Sequence, residues 1–145
     1  MTASLEDAIA LAVEAHRGQK DRAGAPYILH PLRMMFRVET DAEKIVAVLH
    51  DVVEDTDWTL DDLRAEGFPE DVVTAVDHLT RREGEDYDEF VRRAAAHPVA
   101  RRVKIADLED NMDVRRTGTV TDDDTERLTR YHRAWRSLVG DLESA

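Results

Sequence analysis

The chain has 145 residues, the length of one domain. At that size folding hides roughly 70% of the unfolded surface, so a core can form without staples. Twenty Lys and Arg against 32 Asp and Glu leave a formal charge of −12, which argues against a duplex DNA or RNA partner, since that needs a basic face. A phosphorylated small molecule stays open, because a metal ion and a few local cations can offset the field. Cysteine is absent, which excludes disulfides, a thiol nucleophile and a thiolate zinc site, and fits a reducing cytoplasm. The longest aliphatic run, Ile45 to Leu49, is far short of the roughly 20 residues of a membrane span. The first ten residues carry no basic region followed by an apolar run, so no signal peptide is expected.

Helical periodicity dominates. Ser4 precedes an apolar series at Leu5, Ala8, Leu11, Ala12 and Ala15 and forms a capping box with Asp7; Gly18 closes that helix. Lys20 to Tyr27, with Gly24 and Pro26, reads as a loop. Pro31 is expected at the first position of a short helix whose apolar face is Leu32, Met35 and Phe36. Thr40 with Glu43 opens the most apolar helix, Asp41 to about Val53, which belongs at the centre of a bundle. Thr59 with Asp62 opens a helix ending at Gly67, and Pro69 starts another with Val72, Val73, Val76 and Leu79 inward. Helices over about Asp86–Ala96 and Pro98–Val114 follow. After the acidic Thr121–Asp124 turn, a last amphipathic helix carries Leu128, Tyr131, Trp135, Leu138 and Leu142. With no repeat or linker, residues 1–145 are expected to form one all-α domain, a bundle of seven or eight helices.

Three segments bear chemistry. His50-Asp51-Val52-Val53-Glu54-Asp55 ends the most apolar helix, and His50/Glu54 and Asp51/Asp55 are each four apart on a helix face. Burying that much acid is costly without a counterion, and a divalent cation is one solution. Asp107 and Asn111 are likewise four apart among the apolar residues Val103, Ile105, Ala106 and Leu108. His30-Pro31 is the third segment. Each alone also fits a plain role: a helix-terminal histidine, a helix-to-helix salt bridge, a capping histidine. Together, His30, His50, Asp51 and Asp107 make a two-imidazole, two-carboxylate set that suits Mn²⁺, Fe²⁺ or Zn²⁺. Such a metal activates water and polarises a phosphoryl oxygen, with Glu54 or Asp55 placed to orient or deprotonate that water. His16 is expected to be packed or at the surface, Tyr131 and Trp135 to belong to the core, and Arg81-Arg82 and Arg101-Arg102 to be solvated.

The ordered set Ala15-His16-Arg17-Gly18-Gln19, Pro26-Tyr27-Ile28-Leu29-His30-Pro31, Leu49-His50-Asp51-Val52-Val53-Glu54-Asp55-Thr56 and Lys104-Ile105-Ala106-Asp107 with Asp110-Asn111-Met112 resembles the HD-domain phosphohydrolases. Within that family it is most similar to the hydrolase domain of RelA/SpoT-type alarmone enzymes and their small stand-alone relatives. The resemblance implies an all-helical fold and a Mn²⁺-dependent 3′-pyrophosphohydrolase that releases pyrophosphate from (p)ppGpp. It implies His30, His50, Asp51 and Asp107 as metal ligands, Glu54 and Asp55 as the catalytic acid pair, and Asn111 near the nucleotide. Relatives commonly carry two adjacent basic residues in the first loop; here it reads Lys20-Asp21-Arg22, which leaves Lys20 and Arg22 as the candidate phosphate contacts. Hydrolysis of another nucleotide or phosphoester, and a non-catalytic nucleotide-binding module, are the alternatives.

Overall fold

The structure is a computed structural model; it describes the backbone of residues 2–144 and the side chains of residues 2–140. The fold is all-helical: α1 (Leu5–Ala15), α2 (Leu29–Met35), α3 (Asp41–Leu49), α4 (Val52–Asp55), α5 (Leu60–Ala65), α6 (Glu70–His78), α7 (Tyr87–Ala95), α8 (Pro98–Asn111) and α9 (Asp122–Ser144), with a 3₁₀ turn at Val114–Arg116. With the single turn α4 taken as the continuation of α3, the described residues form a bundle of eight helices. No strand occurs among the described residues, only an isolated bridge between Lys20 and Pro26 that pinches the first loop. No described helix is long and apolar enough to cross a membrane.

Local chemistry sets the helix starts. Ser4/Asp7, Thr40/Glu43 and Thr59/Asp62 each form a reciprocal capping box, satisfying N–H groups that the first turn leaves orphaned. Gly18 (φ 85°) and Gly67 (φ 100°) turn the chain out of α1 and α5 in the left-handed region that glycine tolerates. Two boundaries differ from expectation. α2 begins at Leu29, so Pro31 sits inside the first turn, where its missing N–H is still one that no helical carbonyl would have accepted. Phe36 then falls at the C-cap and is 82% exposed, whereas Met35 is buried as expected and Met34 is buried with it.

α3 is the central helix. Ile45 through Leu49 are all buried, and α3 packs against α1, α2, α6 and α8. Burying a side chain of this type contributes about 1.5–3 kcal/mol, so the run both anchors α3 and aims its C-terminal end into the protein. A second cluster of Val91, Leu108, Ala134 and Leu138 ties α7, α8 and α9 together, with Tyr131 and Trp135 against it. The side chain of Leu142 lies outside the described residues. α8 bridges the two clusters: Val103 and Ala106 face the first and Leu108 the second.

Candidate metal centre

The expected helix to Val53 is interrupted. α3 ends at Leu49, Asp51 adopts φ −106°, ψ 1°, and α4 restarts at Val52. His50 and Glu54 therefore lie across a break, whereas Asp51 and Asp55 keep a helical turn through an Asp55 N–H to Asp51 C=O bond of 2.9 Å. The break delivers His50 and Asp51 together at the buried end of α3.

His30 from α2, His50 and Asp107 from α8 are all buried, and one ligand atom of each lies within 4.8 Å of the other two. His30 Nε2 is 3.0 Å from Asp107 Oδ1; His50 Nε2 is 3.7 Å from the same oxygen and 3.1 Å from Asp51 Oδ2. The Tyr27 hydroxyl donates to Asp51 Oδ2. His50 Nδ1 is 2.8 Å from the Ala47 carbonyl, which can only accept, so Nδ1 carries a proton and Nε2 is the ligand-bearing atom. That Nε2 is buried with no hydrogen-bond partner. An orphaned imidazole nitrogen facing two carboxylates, beside a second imidazole, fits a divalent cation with mixed N and O ligands. His30, His50, Asp51 and Asp107 would hold it.

The electrostatics agree. Burial opposes a charge on His30, but its hydrogen bonds to the carboxylates of Asp107 and Asp110 outweigh it and push its pKa up to about 9. His50 is likewise raised, burial being overcome by Asp51. Despite burial, His50 beside it brings Asp51 down to about 2, and Lys104 foremost among its cations holds Asp107 well below the carboxylate range. Positive charge is stabilised here, whether as protons or as a cation. Asp55 behaves oppositely: burial, then the negative charges of Asp51 and Glu54, raise it to about 6, the range a general base needs near neutral pH.

Of the cluster, His50 is buried, and His30, Asp51 and Asp107 beside it line a cleft of about 740 Å³. Lys20, Arg22, Glu54, Asp55 and Asn111 all line it. Two are already engaged: Asn111 Nδ2 donates to Asp107 Oδ1 at 3.0 Å, and Glu54 Oε1 accepts from the Arg81 N–H at 2.7 Å. Asp21, the departure in the first loop, accepts from the Ala25 N–H at 2.9 Å and closes the turn between Lys20 and Pro26.

Several residues that sequence reasoning left unassigned belong to the site. Tyr27 orients Asp51. Lys104 Nζ is 2.9 Å from Asp107 Oδ2, and Asp110 meets His30 Nδ1 at 2.6 Å. Lys104 and Asp110 flank Asp107 by three on α8, so helical spacing was their available signal; Tyr27 lies just before α2, in the segment that carries His30. His16 is packed as expected, 2% exposed behind the Tyr27 ring, with burial depressing its pKa. Tyr131 packs against the second core cluster as expected and also lines the cleft. Trp135 donates to Glu109 Oε2 at 3.1 Å on the far side of α8. Arg101 and Arg102 stay on the surface face, on the Ala95 carbonyl and Glu43.

The family model described as "HD domain" matches residues 8–115. The guanosine-3′,5′-bis(diphosphate) 3′-pyrophosphohydrolase of Aquifex aeolicus is 32% identical over 120 residues, covering 74% of this chain and 17% of that protein. The Vibrio cholerae protein of the same name is 30% identical over 142 residues, covering 88% and 20%. A GTP pyrophosphokinase of Streptomyces coelicolor is 35% identical over 121 residues, covering 74% and 14%. The chain thus spans about a fifth or less of the length of these relatives. The solved structure "A metazoan ortholog of SpoT hydrolyzes ppGpp and plays a role in starvation responses" superposes with a TM-score of 0.77 at 24% identity, over 95% of this chain and 86% of that one, which establishes the fold. A matched model over most of the chain, the shared helical fold, and a His/Asp cluster at its centre lead to one conclusion: the chain belongs to the HD domain family.

Proposed function

We propose that the chain is a metal-dependent phosphohydrolase that removes the 3′-pyrophosphate of guanosine 3′,5′-bis(diphosphate), working as a single domain in the cytoplasm with Mn²⁺ as its metal. The observation that carries this reading is the convergence of His30, His50 and Asp107, with Asp51 beside them, at a cleft lined by His30, Asp51, Asp107 and a near-neutral carboxyl at Asp55. The names of the Aquifex and Vibrio relatives support the substrate.

His30, His50, Asp51 and Asp107 would hold the cation, which when bound would supply Lewis acidity toward a phosphoryl oxygen and make the attacking water more acidic. Asp55 takes a proton from the attacking water; its raised pKa suits both accepting that proton and releasing it. Glu54, fixed by the Arg81 N–H, orients the water from the other side. The water oxygen bonds to the phosphorus carried by O3′, the bond from that phosphorus to O3′ breaks, and the proton passes to O3′, leaving GDP and pyrophosphate. Lys20 and Arg22 at the mouth meet phosphate oxygens, and Asn111 serves first by steadying Asp107.

The test is product analysis by anion-exchange chromatography. The Mn²⁺-loaded protein is incubated with ppGpp beside a panel of nucleoside mono-, di- and triphosphates, with Asp51→Ala as blank. GDP and pyrophosphate are expected from the wild type alone, and Glu54→Gln is expected to retain metal but lose turnover. Intact ppGpp with cleavage of another nucleotide would leave a phosphohydrolase with a different substrate. Turnover by Asp51→Ala would remove the metal assignment.

A further inference from the structure

Asp110 is a buried carboxylate that the proposed reaction does not use. It is 0% exposed, on α8 one turn beyond Asp107. Burying a carboxylate is costly unless every oxygen is engaged, and here both are. Oδ1 accepts from Arg33 Nε at 2.7 Å. Oδ2 accepts from Arg33 Nη2 at 3.0 Å and meets His30 Nδ1 at 2.6 Å. Arg116 Nη2 stands 3.5 Å away and donates to the Asp110 carbonyl at 3.2 Å. With no oxygen to spare, Asp110 cannot act as a further ligand.

It grips the opposite edge of a ligand instead. α8 presents two carboxylates to one imidazole: Asp107 at Nε2 and Asp110 at Nδ1. An ionised carboxylate can only accept, so when Nε2 offers its lone pair to a cation, Nδ1 must carry the proton and point it at Asp110. The other imidazole is steered differently, by the neutral carbonyl of Ala47 behind His50. A hydrogen bond to an ionised acceptor is roughly twice as strong as one between neutral groups, and it makes the ring a better donor to the metal. Arg33 offsets the charge that would otherwise forbid a third carboxylate so close to Asp51 and Asp107.

From this geometry we infer that Asp110 is the positioning residue of the metal centre, fixing the ring and tautomer of His30 and thereby setting the affinity for the divalent cation. The inference rests on the metal-binding reading of the site. It differs from a packing role in predicting an effect on metal affinity and on one imidazole proton.

The test titrates the metal-free protein with Mn²⁺ by calorimetry, using wild type, Asp51→Ala and Asp110→Asn, each checked for a cooperative thermal transition. Asp110→Asn is expected to weaken Mn²⁺ binding by about 10–100-fold, the usual effect of removing such a partner. Long-range ¹H–¹⁵N spectra of the histidine-labelled wild type loaded with Zn²⁺ supply a readout that needs no variant: His30 should carry its proton on Nδ1, shifted downfield of the His50 Nδ1 proton by the carboxylate. Wild type that takes up no Mn²⁺ overturns the metal-binding reading and this inference with it. Wild type that binds Mn²⁺ and loses it with Asp51→Ala, while folded Asp110→Asn binds as wild type does, overturns this inference alone. So does a His30 protonated on Nε2 or lacking the downfield shift.

Discussion

Replacing Lys104 by Met tests whether the cluster is held together by compensating charge. Lys104 and Asp107 are 9% and 11% exposed at the side chain and 2.9 Å apart. The ammonium also lies 4.8 Å from the centroid of Phe90, which partly replaces its lost hydration. Methionine keeps most of the stem volume, so the change removes charge more than packing. Removing one partner of a buried pair costs about 3–5 kcal/mol, because the other charge stays buried without its match. Asp107 Oδ1 keeps His30 and Asn111, each at 3.0 Å, so the lower end, about 3 kcal/mol, is expected. A domain of this length unfolds with an entropy of about 0.3 kcal/mol/K, which turns that loss into a drop in Tm of about 10 °C. Divalent cation should shrink the deficit, since it supplies the missing positive charge and no longer faces the lysine. At 100 times its Kd it adds about 2.7 kcal/mol to any folded form that binds it. Urea unfolding and thermal melts, each in chelator and in saturating Mn²⁺, measure both quantities. A deficit below about 1 kcal/mol in chelator, or one that Mn²⁺ leaves unchanged, would refute this account of the site's electrostatics.

Arg93 reaches across from α7 to the carbonyls of Asp77 and Thr80 at 2.8 and 2.7 Å and to both oxygens of Glu85. Arg93→Ala removes these bonds, but Arg82 still donates to both carbonyls and to Glu85, so the cost should be about 1.5 kcal/mol. Because the same loop donates the Arg81 N–H to Glu54, hydrogen exchange at Arg81 should accelerate; an unchanged rate there breaks the proposed link to Glu54. His97 caps α8 with its ring, Nδ1 accepting from the Val99 and Ala100 N–H groups at 3.2 and 3.3 Å. Burial, then neighbouring His78, lower its pKa. The unfolded chain therefore takes the proton first, and this contribution to stability is lost as pH falls through about 6.5 toward the folded value. His97→Asp keeps an N-cap acceptor without that titration, so its stability relative to wild type should rise between pH 7 and 5.5 in urea unfolding; a flat difference rejects the capping role.

What the sequence made legible follows from how local each determinant is. Three capping boxes are written within four residues each, and all three form at the expected positions. The apolar run at Ile45–Leu49 announces the central helix because no amphipathic surface helix needs an unbroken stretch of that kind. The break at Asp51 was not legible, since the apolar pattern continues through Val52 and Val53 while the backbone turns to aim His50 and Asp51 into one cluster. The start of α2 was misplaced because proline is tolerated through the whole first turn, so it marks a helix start only to within a few residues. Phe36 was assigned to the core on spacing alone, yet α2 ends before it.

The roles of Asp110 and Lys104 were hidden for a different reason. In a chain with 32 acids and 20 bases, an acid or lysine three residues from a candidate ligand carries little information, because most such residues are solvated. Only the three-dimensional placement shows that both are buried against the same cluster. That placement also bears on how so acidic a chain could face the anionic molecule proposed as its substrate. Among the described residues, the cleft is lined by six cations, Lys20, Arg22, Arg33, Lys104, Arg116 and Arg127, against seven acids. The lining is thus nearly neutral although the chain carries −12, and one divalent cation tips it positive. Local charge, focused between low-dielectric walls, governs what enters a cleft more than the net charge of the molecule does. Metal binding would then do more than activate water: it would turn the cleft into a site that accepts phosphate at all.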